Sequence, residues 1–197
     1  MIKGIIFDLD GTLVRFPIRY EIIFEKLQNL FDTQDEFKPL IPTILEKANN
    51  DIELLQQAFD LICEEETLAA NNFKVIDGAI DILNYFKKRN YSLSLVTMQC
   101  MKAAKLVLDK MQISELFSSI ITRDDSNQRP TQIKKSVEIL SLSPDKVMVI
   151  GDRIHDVKSA KQVGCSAILF NKDKLHSFEE CQVISELAEL AEVDFSL

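Results

Sequence analysis

Two aspartates, Asp8 and Asp10, stand two residues apart directly after the apolar run Ile5-Ile6-Phe7 and just before Gly11-Thr12. The consecutive apolar positions read as a strand covered on both faces. Carboxylates stabilise nothing at a buried strand end, and two close together repel unless a cation or a shared proton relieves them. A purely structural reading gives one Asp to a helix cap and the other to a turn. The pattern further along the chain decides against it.

Four more apolar or alternating runs, at residues 91–96, 119–122, 147–150 and 166–170, read as strands. Helical patterns separate them. Gly78 opens one that carries Ile82, Leu83 and Phe86, and others span 102–111, 131–140 and 156–163, the last ended by Gly164. A final helical stretch is expected over 185–191. Strands alternating with helices across short loops imply an α/β fold, a parallel sheet with helices on both faces.

Residues 15–73 depart from this rhythm and show no strand signal. After Pro17, Ile18, Ile22, Leu27, Leu30 and Phe31 approximate helical spacing, and Pro39 and Pro42 mark a break. A second helix is expected to start near Asn50, where Asn50 and Glu53 resemble a capping box, with Leu54, Leu55, Ala58, Leu61 and Ile62 as its apolar face. This segment reads as a helical insertion.

Ligands of parallel sheets bind at the carboxyl ends of the strands. Asp8 and Asp10 follow the first strand and Thr97 the second. The loop Arg123-Asp124-Asp125-Ser126-Asn127-Gln128-Arg129-Pro130 follows the third, and Asp152 and Asp156 the fourth. Carboxylates gathered on one rim make a hard oxygen site suited to Mg²⁺. A hydroxyl, backbone N–H groups and a fixed positive charge complete a phosphate cradle.

In these motifs the chain resembles the haloacid dehalogenase-like hydrolases, in particular the phosphoglycolate-phosphatase-like branch. Asp8-Leu9-Asp10-Gly11-Thr12 matches the first family motif and Leu95-Val96-Thr97 the second. Arg129-Pro130 lies where the third normally has Lys-Pro, and Gly151-Asp152-Arg153-Ile154-His155-Asp156 matches the fourth. The resemblance implies a Rossmann-like core over residues 1–14 and 76–197 and a small helical cap over 15–75. It also implies hydrolysis of a small phosphomonoester, phosphoglycolate-like or a sugar phosphate, through an aspartyl-phosphate.

The roles it implies are chemically coherent. Asp8 is the nucleophile and Asp10 the general acid and then base. Mg²⁺ is held by Asp8, the backbone carbonyl of Asp10 and Asp152, while Asp156 orients the metal's surroundings or the cationic residue. Thr97 donates its hydroxyl and Met98 its backbone N–H to phosphate. Arg129 replaces a compact point charge with a planar, bidentate one. Lys134, one helical turn on, is the alternative cation. A phosphomutase and a non-catalytic phosphate- or metal-binding regulator remain as competing readings.

Several residues carry blander expectations. His155 reads as a helix-start or solvent-facing residue and His176 as a surface one. Arg15, Arg19 and Tyr20 either face the leaving group or are solvated, and Asp124-Asp125 reads as loop chemistry near the rim. With 31 acidic against 23 basic residues the chain carries a net charge of −8 and no basic stripe, which disfavours nucleic acid as a partner. No apolar run approaches membrane-spanning length. The four cysteines are far apart and form no CxxC pair, so they are expected to be reduced, buried thiols of a cytoplasmic protein.

Overall fold

Six parallel strands form the main sheet in the order β5-β4-β1-β6-β7-β8. They are β1 (Gly4–Phe7), β4 (Ser92–Val96), β5 (Ser119–Ile121), β6 (Val147–Gly151), β7 (Ser166–Phe170) and β8 (Gln182–Ile184). This computed structural model describes residues 1–171 and 181–195; His176 lies outside them. The chain builds outward from β1 to β4 and β5, then returns to the other side of β1 with β6. The reversal places a crevice at the carboxyl end of β1, the position where open parallel sheets take their ligands.

Strand alternation divides the core. Ile5 and Phe7 face a cluster built with α4 (Ala79–Lys88) and α5 (Met101–Met111), which contribute Leu83, Phe86, Ala104 and Leu108. Ile6 faces the opposite layer, where α6 (Arg129–Leu140) and α7 (Ile154–Val163) supply Ile133, Val137 and Ala160. Every residue of β1 is buried, as its unbroken apolar sequence requires.

Between β1 and α4 the chain leaves the sheet. Val14–Arg15 (β2) pairs antiparallel with Lys74–Val75 (β3). Three helices lie between them: α1 (Tyr20–Leu30), α2 (Leu40–Ala48) and α3 (Ile52–Ala69). They share their own apolar cluster around Ile23, Leu27, Phe37, Ile44, Ala58 and Ile62.

Four local expectations need correction or refinement. Pro39 does close the break after α1, as the extended N-cap of α2, but Pro42 sits in the first turn of that unexpected helix, where its missing N–H has no intrahelical partner to lose. The cap of α3 is Asp51, whose side chain accepts from Leu54 N at 3.0 Å, whereas Asn50 is in the left-handed region at φ 68°. The helical stretch expected over 185–191 is present as a 3₁₀ helix at Leu187–Ala191, and the strand β8 just before it was not expected. Cys63 and Cys100 are joined in a disulfide across 37 residues of sequence, not held as reduced thiols. Of the remaining cysteines, Cys165 is a buried free thiol.

Candidate active site

The rim of the sheet gathers the residues that follow β1, β4 and β6. Asp8 is the first residue beyond β1, and its backbone N–H donates to the Ile150 carbonyl of β6 at 2.9 Å. The chain then turns sharply. Gly11 N–H donates to Val14 O at 2.7 Å, and Leu13 and Val14 both donate to Leu9 O. Gly11 has φ +94°, and a Cβ there would lie 2.2 Å from Asp152 Oδ2. Glycine therefore supplies both the turn and the space in which the Asp152 carboxylate sits.

Arg129 is the buried cation of the site, only 4% exposed at the first position of α6. Its guanidinium is divided three ways. One Nη donates to Asp8 Oδ1, Nε donates to Asp156 Oδ1 at 2.9 Å, and the other Nη donates to the Val96 carbonyl at 2.9 Å. Asp156 also accepts from Arg153 N at 3.1 Å, which fixes it at the start of α7. It lies so close to β6 that a Cβ on Gly151 would sit 2.4 Å from its Oδ2. The arginine substitution thus keeps the cation against Asp8 and uses the fork that lysine lacks. Lys134 is exposed on α6.

Negative charge exceeds this compensation. Burial, with Asp156 and Asp152 nearby, pushes Asp8 up to about 7 although Arg129 opposes the rise. Burial and the proximity of Asp156 push Asp152 up to about 6. Asp152 Oδ1 is buried without a hydrogen-bond partner. An unpartnered carboxylate oxygen beside a second crowded carboxylate is the donor chemistry a divalent cation satisfies. Asp8 and Asp152 therefore fit a hard metal ion.

Asp10 is less buried than Asp8. Its Oδ1 accepts from Phe16 N at 3.0 Å, and burial raises its pKa while that bond works against the rise. The turn turns Asp10 away from the Asp8–Arg129 pair and toward the start of the insertion. There Tyr20 faces Arg153, and Arg15 and Arg153 both act electrostatically on Asp10. Arg19 instead points along the insertion to Glu65, 2.7 Å away.

Thr97, 1% exposed, follows β4. Its Oγ1 accepts from Gln99 N at 3.2 Å, leaving its own proton to be donated elsewhere. Gln132 of α6 donates to the Thr97 carbonyl at 3.0 Å. The Met98 carbonyl accepts from Arg123 at 2.7 Å. Asp124 accepts from Met101 N and Asp125 from Thr122 N, each at 2.9 Å, so both shape the loop. His155 is exposed.

The sequence placed Arg123 in the rim loop but gave it no role, and Glu66 at the site escaped it altogether. Glu66 of α3 and Arg123 form a bidentate buried pair at 2.6 and 2.9 Å against the loop after Thr97. They are 57 positions apart and in no motif, so no local signal joins them. Cys63, Glu66 and Cys100 also cluster closely enough for a metal, but the sulfurs are bonded to each other and Glu66 is held by Arg123.

A Rossmann-like sheet with a helical insertion after β1 and an Asp-x-Asp rim defines a class, and the family model for haloacid dehalogenase-like hydrolases matches residues 5–170. The chain belongs to that family. It is similar to the pyrophosphatase PpaX of Oceanobacillus iheyensis, 26% identical over 96% of this chain and 95% of that protein. It is also similar to the phosphoglycolate phosphatase of Aquifex aeolicus, 23% identical over 85% and 84%. Among solved structures, a predicted phosphatase from Clostridium acetobutylicum is 25% identical with a TM-score of 0.73, covering 98% of both chains. CbbY from Rhodobacter sphaeroides, solved with phosphate, has the same fold at 16% identity and a TM-score of 0.72, covering 96% of both chains. No described helix is long and apolar enough to cross a membrane.

Proposed function

We propose that the chain is a Mg²⁺-dependent phosphatase that hydrolyses a small phosphomonoester through an aspartyl-phosphate on Asp8. The observation that carries this reading is the buried Asp8–Arg129–Asp156 array beside the unpartnered Asp152 oxygen. In this reading Asp8 is the nucleophile, Arg129 the fixed cation and the unpartnered Asp152 oxygen a donor to a divalent ion, all at one strand end.

In the first step an Asp8 carboxylate oxygen bonds to phosphorus as the bond to the leaving oxygen breaks. Asp10 gives its proton to that oxygen, a role helped by its raised pKa. In the second step water bonds to phosphorus, Asp10 takes the water's proton, and the Asp8–phosphorus bond breaks to release phosphate. Arg129 holds Asp8 in place and stabilises charge on the transferring group. The Thr97 hydroxyl and Met98 N–H bind phosphate oxygens. Asp8, the Asp10 carbonyl and Asp152 would hold Mg²⁺, which offsets repulsion between the Asp8 carboxylate and an anionic substrate. The inserted helices act as the cap, with Arg15, Tyr20 and Arg153 on the leaving-group side.

The PpaX-like relative favours pyrophosphate as a second substrate class. The test is turnover of phosphoglycolate, sugar phosphates, an aryl phosphate and pyrophosphate with and without Mg²⁺, with mass spectrometry of trapped enzyme. Mg²⁺-dependent release of phosphate and an increment on the peptide containing Asp8 are expected. No turnover across the panel would favour a phosphate-binding regulator instead.

A further inference from the structure

The phosphate-binding loop at 97–100 is held from outside the core, by a residue on the inserted helices. Glu66 lies on α3 and is 3% exposed. Its Oε2 accepts from Cys100 N at 2.8 Å, and both its oxygens accept from Arg123, at 2.6 and 2.9 Å. The same Arg123 Nη that reaches Glu66 donates to the Met98 carbonyl at 2.7 Å. Arg123 N donates in turn to the Gln99 carbonyl at 3.1 Å.

These bonds fix the peptide between Met98 and Gln99. Its carbonyl is drawn to Arg123, so its N–H points the other way and donates to Thr97 Oγ1 at 3.2 Å. A hydroxyl oxygen that accepts this bond keeps its proton for another acceptor. Thr97 is thereby set up as a donor at the rim. The order of influence runs from Glu66 to Arg123, to the Met98–Gln99 peptide, to the Thr97 hydroxyl.

We propose that Glu66 is a positioning residue for phosphate binding: held on α3, it sets the shape of the 97–100 loop through Arg123 and Cys100 N–H. Phosphate affinity therefore depends on how α3 is seated against the core. This rests on the phosphatase reading for the identity of the ligand. Glu66 touches no reacting atom, so its loss acts on binding rather than on proton transfer.

The disulfide provides an internal control. Cys63 lies one turn before Glu66 on α3, and Cys100 is the N-cap of α5, so the bond keeps α3 seated when the Glu66 charge is removed. Near-isosteric variants are used to preserve folding: Glu66→Gln, Arg123→Lys and the pair together. Each is assayed with p-nitrophenyl phosphate and Mg²⁺, and titrated calorimetrically with inorganic phosphate plus Mg²⁺.

The expected result is a roughly tenfold rise in both KM and the phosphate dissociation constant for either single variant, with an unchanged pH profile of kcat. The double variant should be no worse than the singles, because both break one unit. Values within twofold of wild type, or a fall in kcat at constant KM, would overturn the proposal. A dithiol reagent then converts the disulfide into two thiols while closing its own disulfide. Reduced wild type should keep its KM. If reduction alone reproduces the tenfold rise while oxidised Glu66→Gln shows none, the disulfide and not Glu66 positions the loop. Wild type that binds phosphate but turns nothing over would defeat the phosphatase reading and leave the titration to decide this one.

Discussion

Asp8 and Arg129, 121 residues apart in sequence, form a buried ion pair at the carboxyl end of the central strand. The pair is not closed on itself. Arg129 is shared with Asp156 and the Val96 carbonyl, so three elements meet at one guanidinium.

Replacing Asp8 with Asn is expected to lower turnover by at least about a thousandfold, since the amide cannot attack phosphorus. The fold should survive, because Asp156 still partners Arg129 and a crowded carboxylate has been removed. Steady-state kinetics and a thermal melt check both halves. Turnover near the wild-type rate would remove Asp8 from the nucleophile role.

Arg129→Lys keeps the charge but has no planar fork to meet three acceptors lying in different directions. A stability loss of about 1–3 kcal/mol is expected from the acceptor left unmade. Turnover should stay within about tenfold, because the charge beside Asp8 persists. Arg129→Ala strands two buried carboxylates and should cost about 3–5 kcal/mol. Urea denaturation read beside aryl phosphate turnover tests the contrast.

Stability should also depend on pH in a particular direction. Asp8 and Asp152 start from 3.8 and are raised to about 7 and about 6, so the folded protein binds their protons more tightly. Their contribution is complete below about 3.8 and is lost as pH rises through those folded values. In metal-free protein, wild type should lose stability relative to Asp8→Asn between about pH 4 and 7 and run parallel above. Mg²⁺ should raise the melting temperature more at pH 8 than at pH 5, since it binds the deprotonated carboxylates. A pH-independent difference between the two proteins would contradict the placement of Asp8.

Gly11→Ala meets two obstacles at once: φ +94° and a Cβ 2.2 Å from Asp152 Oδ2. The backbone strain is of order 1–3 kcal/mol. Displacement of Asp152 should weaken Mg²⁺ affinity by at least about tenfold if that carboxylate is a ligand. Calorimetric titration of Mg²⁺ into both proteins measures this directly, and equal affinities would exclude Asp152 from the metal site.

The sequence was most readable where one physical rule governed a segment. The strands β1, β6 and β7 are largely apolar runs and β4 alternates before ending apolar, and Asp8, Thr97, Asp152 and Asp156 follow strand ends at short offsets. Arg129 was legible by its place beside Pro130, although its three-way sharing depends on where β4 and α7 lie. β8 is only three residues long at the sheet edge, so Gln182–Ile184 shows no period of its own. Pro42 misled because a proline reads alike in a break and in a helix's first turn. The Cys63–Cys100 bond and the Glu66–Arg123 pair join segments that only tertiary packing brings together.

The two-residue ladder of β2 and β3 has a topological consequence. Val14 pairs with Val75 and Arg15 with Lys74, so the excursion departs and returns at a single doorway. Strand order in the main sheet owes nothing to what lies beyond that doorway. The segment is nevertheless not insulated from the rim, because Glu66 and Cys63 of α3 bond to Arg123 and Cys100 of the core. A change inside the excursion therefore leaves strand pairing intact and is felt at the rim through those two attachments.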